Sequence, residues 1–502
     1  MTKMISRRLF LGSVAAFGAT GFAHPSWANA PEKSLRPVAR GTDMLRELQK
    51  PAEALVDAAR LGGRVGFAVA NVATGKRLEQ RNPDLGQPPA SVAKALTAAY
   101  GLDVLGHDYR FKTRLIATGG LLNGVVQGDL ILAGGGDPTL STDGLASLAG
   151  QLKTAGITAV KGDFIVWGGA LPMLRDIDSG QPDHVGYNPS VSGLNVNYNR
   201  VHFEWRQASG SYNVTMQART ERHRPSVKMA SMQIIARSAP VYTYADHAGI
   251  DTWTVAKGAL GNGGARWLPV RKPEVYAGEV FQTFAGAQGI KLSAPIVLQG
   301  DVPEGETVTA YSSEPLHKIL KDMLKWSTNL TAEVVGLTAT YVRTGNRPSS
   351  LENSAKELNA WAKETLGVQS AALVDHSGLG ESSRISAGDM MHALLALRKS
   401  NELKPLLKSF RMLDENRNLI KDHPLSVHAK TGTLNFVSGL AGYVDLPDGT
   451  ELVFAIFAAN LDRRAALTKS ERERPPGGRE WNRRAKSLQQ SLIERWGIVY
   501  SS

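Results

Sequence analysis

At 502 residues the chain exceeds what one hydrophobic core organises, so two or three domains are expected. Its 42% hydrophobic and 21% charged residues fit an ordinary globular protein and exclude a disordered or membrane-embedded class, while zero cysteines exclude disulfides, thiolate metal sites and cysteine nucleophiles. A net charge of +12 suits an acidic wall polymer, a membrane surface or simply a solvated basic face; no nucleic-acid-binding motif or aromatic-flanked basic patch accompanies it.

The chain opens on Ser6-Arg7-Arg8-Leu9-Phe10-Leu11, a Gly-diluted apolar stretch to about Phe22, and Ala28-Asn29-Ala30. This order of basic, apolar and small residues predicts an exported protein with a twin-arginine signal over residues 1–30, destined for the periplasm. The apolar run is too short for a stable membrane span. Removing Lys3, Arg7 and Arg8 with the signal leaves +9 of the +12.

Alternation through Val65, Phe67 and Val69 before Ala73-Thr74-Gly75-Lys76 predicts a hairpin over residues 63–80. Ser91 to Leu105, rich in Ala and Leu, reads as a mostly buried helix. From about Phe111 to Val308, short β-like runs alternate with Gly and Asp clusters such as Gly134-Gly135-Gly136-Asp137-Pro138. Helix is expected again from Ser313 to about Arg343 with a break near Ser327, then over Leu351 to Leu366 and Ala387 to Lys399. Val437 to Val444 and Leu452 to Ala459 read as strands joined by Leu446-Pro447-Asp448-Gly449. A basic stretch from Arg463 to Arg484 precedes a last helix to about Trp496. No internal repeat is visible.

Three short patterns carry chemistry. Ser91-Val92-Ala93-Lys94 is the only Ser-x-x-Lys in the chain, and helical neighbours three apart bring an amine to a hydroxyl. Alone it is equally a helix cap followed by a solvated lysine. Ser327-Thr328-Asn329 can aim both polar side chains at one site only from a turn between helices; otherwise it is an inter-helix cap. Lys430-Thr431-Gly432-Thr433 runs into the terminal hairpin, where an edge strand can pair with a peptide main chain and Gly leaves room for it. Its bland alternative is a strand beginning with a turn.

In this order the three patterns are the signature of the penicillin-interacting serine enzymes. The 236 residues between Ser91 and Ser327 exceed what a compact β-lactamase needs. Within that superfamily the chain resembles the penicillin-binding-protein-4 type of D-alanyl-D-alanine carboxypeptidase/endopeptidase, peptidase family S13, over nearly all of residues 31–502. The resemblance rests on Asn82-Pro83-Asp84 through Pro89-Ala90-Ser91, Gly128-Asp129-Leu130 through Gly136-Asp137-Pro138-Thr139-Leu140, Asp375-His376-Ser377-Gly378-Leu379, and His428 through Val444. It implies an α/β fold, a transpeptidase/β-lactamase-like antiparallel sheet flanked by helices, with two β-rich inserted domains. The catalytic domain would comprise residues 31–111 and 309–502, inserted domain II residues 112–138 and 222–308, and inserted domain III residues 139–221.

The resemblance also implies roles. Ser91 would be the acylated nucleophile, Lys94 its base, and Ser327 a proton relay to the leaving amine. Asn329 would hold Lys94 and the substrate amide; Lys430, Thr431 and Thr433 would bind the terminal carboxylate, with Gly432 leaving room. The Ser91 and Thr433 N–H groups would form the oxyanion hole. Substrates would be peptidoglycan peptides, with β-lactams as inhibitors and no cofactor. Asp375 and Glu333 match family positions, where buttressing a loop or helix is the simpler reading. His376 replaces the family's usual Gly, Ser383 stands where Asn is common, and the 463–484 stretch is longer and more basic than family tails.

A β-lactamase or esterase on the same scaffold is the rival enzyme reading, opposed by the long insertion and the lack of a Glu-x-x-Leu-Asn between Ser327 and Lys430. A catalytically silent wall-binding protein would be favoured by loss of Ser91, Lys94 or Lys430, all of which are present. The Gly134 to Gly136 run lacks the Lys-Ser/Thr of a phosphate loop, and the eleven histidines show no ligand-spaced pair, so no metal is expected. Export is testable by mass analysis of the secreted protein, expected to begin after Ala30; the paired change Arg7→Lys and Arg8→Lys should block export, and unaffected export would contradict the twin-arginine assignment.

Overall fold

The structure is a computed structural model that describes residues 49–501 apart from 415 and 417. The expected twin-arginine signal lies outside the described residues. Among the described residues no helix is long and apolar enough to cross a membrane.

One six-stranded antiparallel sheet is assembled from both ends of the described chain. Its strands run in the order Lys408–Ser409, Ser426–Leu434, Val437–Asp445, Glu451–Ala459, Arg64–Asn71 and Arg77–Arg81. The terminal hairpin read from Leu446 to Gly449 joins two of them, and the 63–80 hairpin supplies two more. Side chains alternate across a strand. Ala68 and Ala70, Ala441 and Tyr443, and Val453, Ala455 and Phe457 therefore enter one core with the helices Lys94–Leu105, Leu316–Trp326, Asn329–Thr344, Leu351–Leu366 and Ala387–Leu397. Their neighbours Phe67, Val69, Leu440, Phe454 and Ile456 enter a second core on the opposite face, covered by Ala52–Ala59 and Gly478–Val499. A central strand covered on both faces must be apolar throughout. Val437 to Val444 is nearly so, every one of its residues is buried, and its one hydroxyl-bearing small residue, Ser438, accepts from Gln489 Nε2 at 3.1 Å.

Between the halves lies a β-rich insertion with its own core. A five-stranded sheet runs Ile296–Val297, Phe164–Trp167, Leu130–Gly134, Lys112–Ala117 and Glu306–Ser312, backed by helices Thr142–Thr154 and Pro273–Ala287. Two three-stranded sheets follow, one from Arg200–Ala208, Ser211–Gln217 and Gly263–Pro269, the other from Ala230–Ile235, Tyr242–His247 and Ile250–Ala256. The sheets do not divide where residues 139 and 221 were expected to divide two inserted domains. Phe164–Trp167 pairs with Leu130–Gly134, and Arg200–Ala208 pairs with Gly263–Pro269, so both pairings cross those boundaries. Strand pairing is long-range, and local texture carries no record of it.

The C-terminal helix anchors the back face through Trp496. Its ring is fully buried against Phe67 and Phe454, with centroids 5.8 and 6.0 Å away, and its indole N–H donates to Glu79 Oε2 at 2.7 Å. Trp496→Ala should lower unfolding free energy by about 3–5 kcal/mol in urea titration, whereas a change within about 0.5 kcal/mol would contradict this anchoring.

Candidate active site

The turn before the first core helix sets the site. Pro88-Pro89 cannot extend a helix backwards, and Ala90 takes φ 47°, a left-handed conformation unusual for a residue with a Cβ. A 3-10 turn spanning Ala90–Ala93 follows, and the α-helix begins only at Lys94. The helix expected from Ser91 thus starts three residues later. The tighter turn nearly eclipses side chains three apart. Lys94 Nζ lies 3.0 Å from Ser91 Oγ.

Lys94 is fully buried, and its amine has three partners drawn from three segments. It donates to Asn329 Oδ1 at 2.7 Å and to the Ser377 carbonyl at 2.7 Å, and faces the Ser91 hydroxyl. A carbonyl oxygen can only accept, whereas a hydroxyl can accept or donate. A neutral Lys94 must therefore turn its lone pair to Ser91, the one partner able to supply a proton. Burial lowers the Lys94 pKa from 10.5 to about 8, opposed by the charges of Glu333 and Asp375.

Those two carboxyls hold the loop on which Lys94 leans. Glu333 accepts from the His376 and Ser377 N–H groups at 2.9 Å each; Asp375 accepts from Gly378 at 2.6 Å and Gly380 at 2.5 Å. Burial raises both pKa values. His376 is enclosed, with Nε2 2.7 Å from Ser354 Oγ, and burial lowers its pKa to about 3, so it is neutral. Its ring occupies the space beside Gly336, where a Cβ would overlap it. The bulk of His376 is thus accommodated by a missing side chain forty residues earlier. Ser383 Oγ accepts from the Val374 N–H at 3.1 Å and closes the same loop.

Ser327 ends helix Leu316–Trp326 in the left-handed conformation, φ 60° and ψ 41°, and Asn329 begins the next helix. This is the inter-helix turn the tripeptide required. Strand Ser426–Leu434 completes the group: Lys430 Nζ donates to Ser327 Oγ at 3.0 Å and to the Thr431 carbonyl at 2.8 Å. Burial lowers the Lys430 pKa, and the charges of Lys94 and Lys408 lower it further. Gly432 lets the strand pass close to the Ser91 turn, since a Cβ there would stand 2.5 Å from the Pro89 carbonyl and 3.1 Å from Ser91 N. Thr431 and Thr433 are exposed. Lys408 and Ser409 pair with Ala429 and His428, so from Lys430 onward this edge carries no strand partner among the described residues.

Sequence reasoning missed contributions from the insertion and the basic tail. Asn329 Nδ2 donates to the Tyr187 carbonyl at 2.8 Å, a group of the insertion reaching the site. That segment is tied to the catalytic half by the basic stretch. Glu473 pairs with His184 at 2.7 Å and Arg266 at 2.8 Å, while Arg472 pairs with Glu381 at 3.1 Å and donates to the Gly180 carbonyl at 3.2 Å. Histidines 210 residues apart also meet: His107, Asp108 and His317 cluster on the exposed surface. Their imidazoles stack at 3.9 Å with planes 12° apart, so the in-plane lone pairs run side by side and do not converge on one centre.

A helix-flanked antiparallel sheet whose edge meets a Ser-x-x-Lys turn and a Ser-x-Asn turn defines the transpeptidase-like α/β class. The chain belongs to the D-Ala-D-Ala carboxypeptidase 3 (S13) family, whose profile matches residues 48–473. It is 28% identical over 449 residues to the D-alanyl-D-alanine carboxypeptidase of Actinomadura sp. (strain R39), covering 82% of this chain and 81% of that protein. The crystal structure of penicillin binding protein 4 from Haemophilus influenzae has the same fold, with TM-score 0.72 at 19% identity, covering 89% of this chain and 100% of that one. A second structure of that protein, complexed with a β-lactam, gives TM-score 0.68 at 20% identity over 89% and 99% of the two chains.

The His376 packing yields a double-variant test. Gly336→Ala should lower stability by about 1–3 kcal/mol, and His376→Gly added to it should recover most of the loss in urea unfolding. Additive losses would contradict the packing described.

Proposed function

We propose that the chain is an exported, periplasmic serine DD-peptidase that removes terminal D-alanine from peptidoglycan peptides and also cleaves their cross-links. The observation that carries this reading is the Lys94 amine, whose only hydroxyl partner among the described residues is Ser91. Family membership and the carboxypeptidase relative support the substrate class.

In the proposed reaction Ser91 Oγ gives its proton to neutral Lys94 and bonds to the D-alanyl carbonyl carbon. The N–H groups of Ser91 and Thr433 stabilise the oxyanion. The C–N bond then breaks as a proton passes through Ser327 to the leaving amine. Water, deprotonated toward Lys94, attacks the ester and returns Ser91 with its proton. Lys430, Thr431 and Thr433 hold the terminal carboxylate, and Gly432 gives the peptide room on the free edge. Asn329 keeps Lys94 oriented with Oδ1, while its Nδ2 exchanges the Tyr187 carbonyl for that of the substrate. The inserted β-rich region shapes access to the cleft and performs no chemistry. A β-lactam enters the same acylation, but its leaving amine stays tethered and obstructs water, so the adduct persists.

Release of D-alanine from a D-alanyl-D-alanine peptide should disappear in Ser91→Ala and fall about a hundredfold or more in Lys94→Ala. Because the reactive Lys94 is the neutral form with a pKa of about 8, the acylation rate should climb about tenfold per pH unit below that value and level off above it. Lys94→Ala should remove the climb. A flat profile between about pH 6 and 8 in the parent protein would contradict Lys94 as the base.

A further inference from the structure

A groove of about 1080 Å³ opens beside the catalytic strand. Its lining includes Trp326 and Thr431, the chain neighbours of Ser327 and Lys430, whose side chains bond each other. From there it follows Lys408 to Arg411 and the polar face of the C-terminal helix around Lys486. Among the described residues six basic ones line it against two acidic ones, Asp414 and Glu494. Arg483 and Arg484 are occupied with Glu480, and Lys325 lies over the exposed Trp326 ring at 4.7 Å. Lys408, Arg411 and Lys486 are exposed and have no ion pair among the described residues. Three uncompensated cations along one groove create a field that selects anions.

We propose that this groove binds the anionic remainder of a leaving group, so that the enzyme favours bonds whose departing amine belongs to a second acidic stem peptide over bonds that release D-alanine alone. The inference rests on the reading of the site given above. There Lys430, Thr431 and Thr433 hold the carboxylate on the departing side of the scissile bond, and Thr431 also lines the groove. A leaving group consisting of one D-alanine ends at that carboxylate and cannot reach Lys408, Arg411 or Lys486. A second stem peptide continues past it and brings further carboxylates into the groove, with Trp326 as an apolar wall at the entrance.

The test compares two substrates: a pentapeptide ending in D-alanyl-D-alanine and a cross-linked muropeptide dimer. The paired change Arg411→Glu and Lys486→Glu should lower kcat/KM for the dimer about tenfold or more, with D-alanine release and penicillin acylation within about twofold of the parent. The milder pair Arg411→Gln and Lys486→Gln should fall between. Salt raised from about 0.05 to 0.5 M should shrink the parent's preference for the dimer. Equal effects on both substrates, or none on the dimer, would overturn the groove proposal while intact penicillin acylation upheld the enzymatic reading. Absence of acylation in the parent protein would overturn that reading and the groove proposal with it.

Discussion

An amine enclosed by protein on every side is the constraint around which the catalytic half is built. Burying an unpaired ammonium costs several kcal/mol, so Lys94 must be hydrogen-bonded, neutralised or both. Its partners come from the Ser91 turn, from Asn329 and from the Ser377 carbonyl, so one side chain joins segments 235 and 283 residues apart. Each segment has its own support. Glu333 and Asp375 bind the backbone of the loop that presents Ser377, and the left-handed Ser327 turns the chain so that Asn329 can face inward. The carboxyls also set a floor under the Lys94 pKa, which burial alone would push lower.

A second buried amine stands on the opposite wall. Lys430 reaches Ser327 while Lys94 reaches Ser91, giving two lysine–serine pairs whose amines repel each other. Like charges in a low dielectric favour loss of one proton and attract a carboxylate to the other. The insertion is coupled to this arrangement through the Tyr187 carbonyl on Asn329, and Glu473, Arg472 and Glu381 hold that contact to the catalytic half.

What could be read from the chain was what local periodicity and motif order encode. The helix break at Ser327, the terminal hairpin and the Lys430 strand all follow from residues within one turn or one strand. The 3-10 geometry at Ser91 was not legible, because the turn packs against Gly432 from the far end of the chain. Nor was the accommodation of His376 by Gly336, or the pairing of Arg200–Ala208 with Gly263–Pro269, since each joins residues whose separation no periodicity records. Glu333 and Asp375 were visible as buttresses; which backbone groups they hold was not.

The central claim is that Ser91 is the group acylated. Intact-mass spectrometry of the protein after brief exposure to penicillin, followed by peptide mapping, tests it most directly. The account predicts one persistent adduct per chain, located on Ser91 and absent from Ser91→Ala. An adduct on any peptide lacking Ser91, or rapid turnover of penicillin with no adduct retained, would contradict it.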